Sequence, residues 1–152
     1  MYKHADYIID FFQNGILWTS MAAWAIAQSI KVTLGYFREK RFNFRWFVGT
    51  GGMPSSHAAG VSSLATSIGL TFGFDSALFA ITLIFTSIVI FDAQGVRLNA
   101  GKQAEILNKM LDDIYWKKKL DEEKLKELLG HTPLEVWAGT FLGILVSLLL
   151  YK

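Results

Sequence analysis

Four apolar stretches alternate with polar segments along the chain, and their lengths indicate what they are. They run from Ile16 to Leu34, from Ala58 to Phe74, from Ser76 to Phe91 and from Leu134 to Tyr151. Each is close to the roughly 20 residues that an α-helix needs to cross a bilayer. The third stretch has no polar face at helical spacing, which argues against a soluble bundle of four core helices. The pattern therefore predicts an all-α integral membrane bundle with about four transmembrane helices, formed as a single domain by residues 1–152.

The chain becomes polar between the third and fourth stretches, over about residues 104–130. Leucines recur there at spacings of three and four, which is typical of amphipathic helices. Asp121 and Gly130 mark the expected start and end of the later one. We expect these helices to lie outside the bundle, on one side of the membrane.

Composition agrees with a membrane protein and narrows the available chemistry. Hydrophobic residues make up 52% of the chain, and the mean hydropathy is +0.32. Because the chain has no cysteine, disulfides, thiolate metal sites and thiol nucleophiles are excluded. Asp6 and Asp10 interrupt the first ten residues, so we expect no removable signal peptide.

Charge is distributed unevenly along the chain. If the four stretches cross the membrane in alternate directions, one side receives the loop from Arg38 to Gly52 and the segment from Arg97 to Thr132. These segments hold twelve of the fifteen Lys and Arg residues. By the positive-inside rule that side is cytoplasmic. We therefore expect an integral protein of the cell membrane with both termini outside.

The segment Gly51-Gly52-Met53-Pro54-Ser55-Ser56-His57 directly precedes the second stretch. Glycines and a proline before a helix place backbone N–H groups around one point, which favours anion binding. His57 falls in the first turn, where it can reach a bound anion. A glycine-rich loop with an N-capping serine explains the same residues without any ligand.

The other proline of the chain stands in a similar arrangement, at the start of the fourth stretch. Thr132, Pro133 and Glu135 fit a capping box with proline at the first helical position. Alternatively, Glu135 hydrogen-bonds His131, fixing its tautomer and raising its basicity as an acid does in a catalytic triad. If the Glu135 side chain turns back onto Thr132, it should not also hydrogen-bond His131. We therefore expect one arrangement to exclude the other.

Basic and acidic groups are available on the same side. Lys31 lies near the end of the first stretch, where a charge in lipid surroundings is usually functional or snorkelling. Arg38 follows two helical turns later and can share its face. Asp92 and Arg97 stand where the third stretch leaves the membrane.

Three of these motifs together resemble a known signature. Lys31-x6-Arg38, Pro54-Ser55-Ser56-His57 and His131-x3-Glu135 are similar to the three-part motif of the type 2 phosphatidic acid phosphatase superfamily, which includes the vanadium haloperoxidases. The phrases GGMPSSHAAG, DAQGVR and LGHTPLEVWAG look more like the small divergent membrane branch of that superfamily. The likeness extends from about Ala27 to Gly143.

The resemblance implies a metal-independent phosphatase that uses no cofactor and hydrolyses a lipid or isoprenoid phosphate monoester. His131 would attack phosphorus, Glu135 would orient it, and His57 would protonate the leaving alkoxide. The implied phosphate ligands are Lys31, Arg38, Ser55 and Ser56, with Gly52 and Asp92 in support.

The sequence departs from the parent pattern at several positions. Ser56 replaces the usual glycine, Glu135 replaces the usual aspartate, and the Ser-Arg pair that precedes the nucleophile is missing. Arg97 is the candidate to replace that arginine. Two other functions stay open: a non-catalytic protein that binds or moves lipid phosphates, and a metal enzyme that uses Asp92, Asp112 and Asp113.

We expect a membrane lipid phosphate as substrate, the lipid bilayer as surroundings and no nucleic-acid partner. The active-site side should face the cytoplasm. The spacing Gly139-x3-Gly143 in the fourth stretch lets two membrane helices approach closely, which predicts a homodimer through these glycines. Packing of the same glycines within one chain is the alternative.

Overall fold

The computed structural model describes residues 7–40, 52–94, 103–111 and 131–151, and the regular structure within these ranges is helical. The helices are α1 (Tyr7–Phe12), α2 (Gly15–Glu39), α3 (Ser56–Phe72), α4 (Ala77–Gln94) and α5 (Pro133–Leu150). Residues 103–111 are also helical, and they overlap the start of the segment that we predicted to be amphipathic, residues 104–130. The later helix expected from Asp121 to Gly130 lies outside the described residues. The predicted all-α bundle is confirmed.

The helices begin and end where the side chains can satisfy the backbone. Asn14 accepts a hydrogen bond from the Leu17 N–H at 3.0 Å and caps α2. α2 continues to Glu39, five residues beyond the predicted end of the first stretch, and stops where Lys40 adopts a left-handed conformation with φ 49°. α3 ends at Phe72 and is capped by Gly73, whose φ of 89° suits a residue without Cβ.

α3 and α5 pack in parallel through small side chains spaced four residues apart. A Cβ on Gly139 would meet the Ser55 carbonyl, and a Cβ on Gly143 would meet the Ala59 carbonyl. Further along, the contact continues through serines and ends where Thr71 Oγ1 lies 2.6 Å from the Tyr151 hydroxyl. Because residue numbers rise together on both helices, α3 and α5 start at the same end of the bundle.

α2 and α4 run in the opposite direction and flank this pair. On α2, Gly15 lies beside Tyr151, whereas Lys31 lies beside Gly52 at the start of α3. On α4, Thr86 donates to the Val61 carbonyl at 3.1 Å. Chain direction therefore alternates from helix to helix, and the connections after α2 and after α4 leave from the same end. We call this end, where α3 and α5 begin, the site end.

Small polar side chains fill the interior of the bundle, whereas large apolar side chains form its surface. Ser63, Ser67 and Ser147 are fully buried and linked by hydrogen bonds of 2.7 to 3.2 Å between their hydroxyls. Ser147 also donates to the Ser63 carbonyl at 2.9 Å. The exposed side chains of α4 are large, and they include Leu78, Ile81, Ile84, Phe85, Ile88 and Phe91. This distribution is typical of helices that associate within lipid.

Length and composition identify two helices in the described part of the chain that could cross a membrane, Ala77–Gln94 and Pro133–Leu150. A total of four spans stays a prediction.

Exposed aromatic residues flank the apolar zone of α2, with Trp18 at one end and Tyr36 at the other. Tyr36 follows Trp18 by 18 positions, which corresponds to about 27 Å of helix, close to the thickness of the hydrocarbon layer.

The glycines of α5 pack against another helix of the same chain. Gly139 and Gly143 are buried, and each lies against the backbone of α3 in the same molecule. This is the alternative interpretation of the Gly-x3-Gly spacing. A homodimer, which stays a prediction, would have to use a different surface.

Candidate functional site

Two chain segments that the sequence separates by about 80 residues meet at the site end. The Ser55 N–H donates to the Glu135 carbonyl at 2.9 Å, which fixes the turn before α3 against the first turn of α5. The N-termini of two parallel helices therefore lie side by side. Helix N-termini carry partial positive charge and N–H groups without intrahelical acceptors, so this arrangement favours an anion.

His131 and Glu135 form a hydrogen-bonded pair next to this junction. The Nδ1 atom of His131 lies 3.1 Å from Glu135 Oε2, and the imidazole is 1% exposed. The His131 N–H donates to the Ala93 carbonyl at the end of α4, at 3.1 Å. Both the backbone and the ring of His131 are therefore held in place.

The capping box at the start of α5 coexists with this pair. Glu135 Oε2 also accepts from the Thr132 N–H at 3.0 Å, and the Glu135 N–H donates to Thr132 Oγ1 at 3.4 Å. Our expectation that one arrangement excludes the other was wrong. A carboxylate oxygen accepts more than one hydrogen bond, so one atom serves both Thr132 and His131.

Lys31 reaches the junction from α2. Its side chain is 8% exposed, and Nζ lies 3.5 Å from Ser56 Oγ, at the long end of the hydrogen-bond range. The carboxylate of Glu135 interacts electrostatically with the Lys31 ammonium. Lys31 therefore faces the start of α3 and, through Glu135, the start of α5.

The residues before and within the first turn of α3 have different roles. Gly52 has a φ of 88°, and a Cβ there would lie 3.3 Å from Lys31 Cγ, so the absence of a side chain leaves room for the lysine stem. Ser55 is buried and caps α3, with its hydroxyl accepting the Ala58 N–H at 3.4 Å. His57 is exposed in the first turn of the helix, one residue after Ser56.

Several predicted site residues lie at the limits of the described structure. Arg38 belongs to α2, but its side chain is outside the described part, and Arg97 is outside it entirely. Asp92 is half-buried near the end of α4, next to the Ala93 carbonyl that holds His131. Their roles as phosphate ligands or supporting groups stay predictions.

The metal interpretation rests mostly on residues outside the described ranges. Asp112 and Asp113 are among these residues. Within residues 7–40, 52–94, 103–111 and 131–151, no cluster of three or more His, Asp or Glu side chains could hold a metal ion.

Two contributors to the site were not identified as such from the sequence. Thr132 was interpreted only as a helix cap, although the capping-box pattern already placed it beside Glu135. The Ala93 carbonyl, which holds the His131 N–H, has no sequence signal because any residue supplies a carbonyl.

Comparisons with known proteins agree with the resemblance in the motifs. A family model described as the divergent PAP2 family matches residues 12–146. The uncharacterized membrane protein YuiD of Bacillus subtilis strain 168 is 41% identical over 153 residues, which cover 93% of this chain and 97% of that protein. No solved structure matches the chain. With most of its length matched by the family model, the chain belongs to the divergent PAP2 family.

Proposed function

We propose that the protein is a metal-independent phosphatase that hydrolyses a lipid or isoprenoid phosphate monoester through a phosphohistidine at His131. Its active site lies at the site end and faces the cytoplasm, so the substrate comes from the inner leaflet. Membership in a PAP2-like family supports a phosphatase of this kind.

The observation that carries the proposal is the position of the His131–Glu135 pair beside Lys31 and Ser56, where α3 and α5 begin. A phosphate monoester needs cationic groups for its oxygens, an in-line nucleophile and an acid for a poor leaving group. Lys31 supplies positive charge, and an ammonium has three donors, so it can bind phosphate oxygens as well as Ser56.

In the first step the Nε2 atom of His131 attacks phosphorus. Glu135 holds the proton on Nδ1, which leaves the lone pair on Nε2 for the attack. The bond between phosphorus and the lipid oxygen breaks, and its electron pair goes to that oxygen. His57 donates the proton that converts the alkoxide into an alcohol.

In the second step water attacks the phosphoryl group, and His57 takes a proton from that water. The phosphorus–nitrogen bond breaks, its electron pair returns to Nε2, and inorganic phosphate leaves. Arg38 and Arg97 are the proposed additional phosphate ligands, which would balance the charge that develops on the equatorial oxygens.

The proposal is tested by His131→Ala in purified protein, assayed with polyprenyl phosphate and phosphatidic acid in the presence of a chelator. We expect the variant to lose turnover while vanadate binding largely survives, because Lys31 remains. The wild type should form an acid-labile phosphoenzyme that His131→Ala lacks. His4→Ala is the matched control, since His4 lies outside all three motifs, and it should behave like the wild type.

Undiminished hydrolysis by His131→Ala would contradict the assignment of the nucleophile. A wild type that binds vanadate but hydrolyses no lipid phosphate would favour the non-catalytic binding protein. Loss of wild-type activity in the chelator would instead favour the metal enzyme.

A further inference from the structure

The contacts around Glu135 connect a helix cap to the imidazole of His131. Thr132 Oγ1 accepts the Glu135 N–H, the Thr132 N–H donates to Glu135 Oε2, and the same oxygen lies 3.1 Å from His131 Nδ1. The carboxylate is therefore held between two neighbouring residues. One of them is the imidazole of the proposed nucleophile.

We infer that Thr132 is a positioning residue for His131, acting through the carboxylate of Glu135. The hydroxyl of Thr132 fixes the first turn of α5, and its N–H fixes the rotamer of Glu135. With this rotamer fixed, Glu135 Oε2 approaches the His131 imidazole from one defined direction. The kinetic consequence rests on the proposed function, whereas the effect on the imidazole does not.

The length of the side chain at position 135 supports this inference. In a capping box the acid at the third helical position reaches back to the N–H of the cap, which suits Glu or Gln. Aspartate is one methylene shorter and would have to give up either the Thr132 N–H or the His131 ring. The glutamate that departs from the parent pattern is therefore the residue that can serve both partners.

A histidine tautomer measurement separates this role from simple helix capping. The chain has three histidines, so ¹⁵N-histidine labelling in detergent gives few signals, and substitution of His4 and His57 assigns that of His131. Among the described residues, Glu135 on α5 contacts this ring, Lys31 on α2 interacts with the Glu135 carboxylate, and Asp92 on α4 precedes Ala93, whose carbonyl accepts the His131 N–H. All variants below keep these three groups or change only Glu135.

In the wild type we expect His131 to carry its proton on Nδ1. Thr132→Val keeps the shape of an exposed side chain but removes the hydroxyl, and it should mix the two tautomers. Thr132→Ser should restore the wild-type spectrum. Asn14→Ala removes an N-cap of the same kind from α2, far from the site, and should leave the spectrum unchanged.

With lipid phosphate, Thr132→Val should lower kcat by up to about 10²-fold while KM changes little, because misplacing a reacting group costs rate and not ground-state binding. Glu135→Asp is the second variant if Thr132→Val does not fold, and it should also mix the tautomers.

A His131 tautomer that is the same in Thr132→Val, or in Glu135→Asp, as in the wild type would overturn the inference. The two proposals can also fail separately. If the wild type has the expected tautomer, Thr132→Val loses it, and the wild type shows no turnover, the inference is supported and the proposed function is contradicted.

Discussion

At the scale of residues, the site concentrates opposite charges where water is largely excluded. Lys31 and His131 are both buried, and the carboxylate of Glu135 acts on both. A buried charge without a partner costs several kcal/mol. Removing only one charged member of the Lys31–Glu135 pair should therefore lower the free energy of unfolding by roughly that much.

His57 should act as the acid that protonates the leaving group. Removing a general acid typically costs about 10²–10⁴-fold in rate, so His57→Ala should lower kcat by that factor with lipid phosphates. The loss should shrink with p-nitrophenyl phosphate, because its leaving group needs no proton. An equal loss with both substrates would contradict this role.

Lys31 should contribute to binding in the ground state as well as the transition state. A hydrogen bond to a charged group is worth about 1.5–3 kcal/mol, so Lys31→Met should weaken vanadate binding roughly 10- to 100-fold. It should raise KM by a comparable factor. Lys109→Met is the matched control, because Lys109 is exposed and pairs with Glu105 at 2.9 Å in helical residues 103–111. Vanadate binding that is equally strong in both variants would remove Lys31 from the phosphate site.

At the scale of helices, the site depends on how closely α5 approaches α3. The two helices meet through a four-residue repeat, with Gly139 at Ser55, Gly143 at Ala59 and serines beyond. This repeat is continuous with the junction between Ser55 and Glu135. The contacts of Gly139 and Gly143 with α3 therefore help to set the distance between the start of α3 and the proposed nucleophile, His131.

Gly139→Ala should consequently disturb both stability and activity. Its Cβ would collide with the Ser55 carbonyl, and overpacking of this kind costs about 1–3 kcal/mol. We expect a lower melting temperature in detergent and a lower kcat. The matched control is Gly60→Ala in α3, whose Cβ would lie 3.7 Å from Trp24 Cβ in ordinary contact. A Gly139→Ala protein as stable and active as Gly60→Ala would show that the close approach is not needed.

The sequence predicted the elements of this site better than their arrangement. The hydrogen bond between Glu135 and His131 was one of two alternatives that the sequence left open, and the structure contains it together with the capping box. The burial of Lys31 against Ser56 could not be predicted from the sequence, since it depends on how two helices cross. The parallel packing of α3 on α5 likewise joins residues about 80 positions apart, and no local pattern encodes that register.

At the scale of the molecule, chain direction and charge give the bundle a definite sidedness. The connections after α2 and after α4 both leave from the site end, and together with Arg38 in the last turn of α2 they hold twelve of the fifteen Lys and Arg residues. From the positive-inside rule and the anionic lipids of the cytoplasmic leaflet, we expect such a segment to lie on the cytoplasmic side. The site end carries His131 and Lys31, so the same argument places the proposed chemistry at the inner leaflet.

Cysteine labelling can test this orientation directly, because the native chain has no cysteine. Lys40 is exposed at the site end, and Asp75 is exposed in the turn between α3 and α4 at the opposite end. In intact cells an impermeant maleimide should label Asp75→Cys but not Lys40→Cys, and Lys40→Cys should react once the membrane is permeabilised. Both variants should keep wild-type activity, which verifies that the labelled protein is folded. Labelling of Lys40→Cys in intact cells would reverse the orientation, and the proposed substrate would then have to come from the outer leaflet, although the chemistry at His131 would be unaffected.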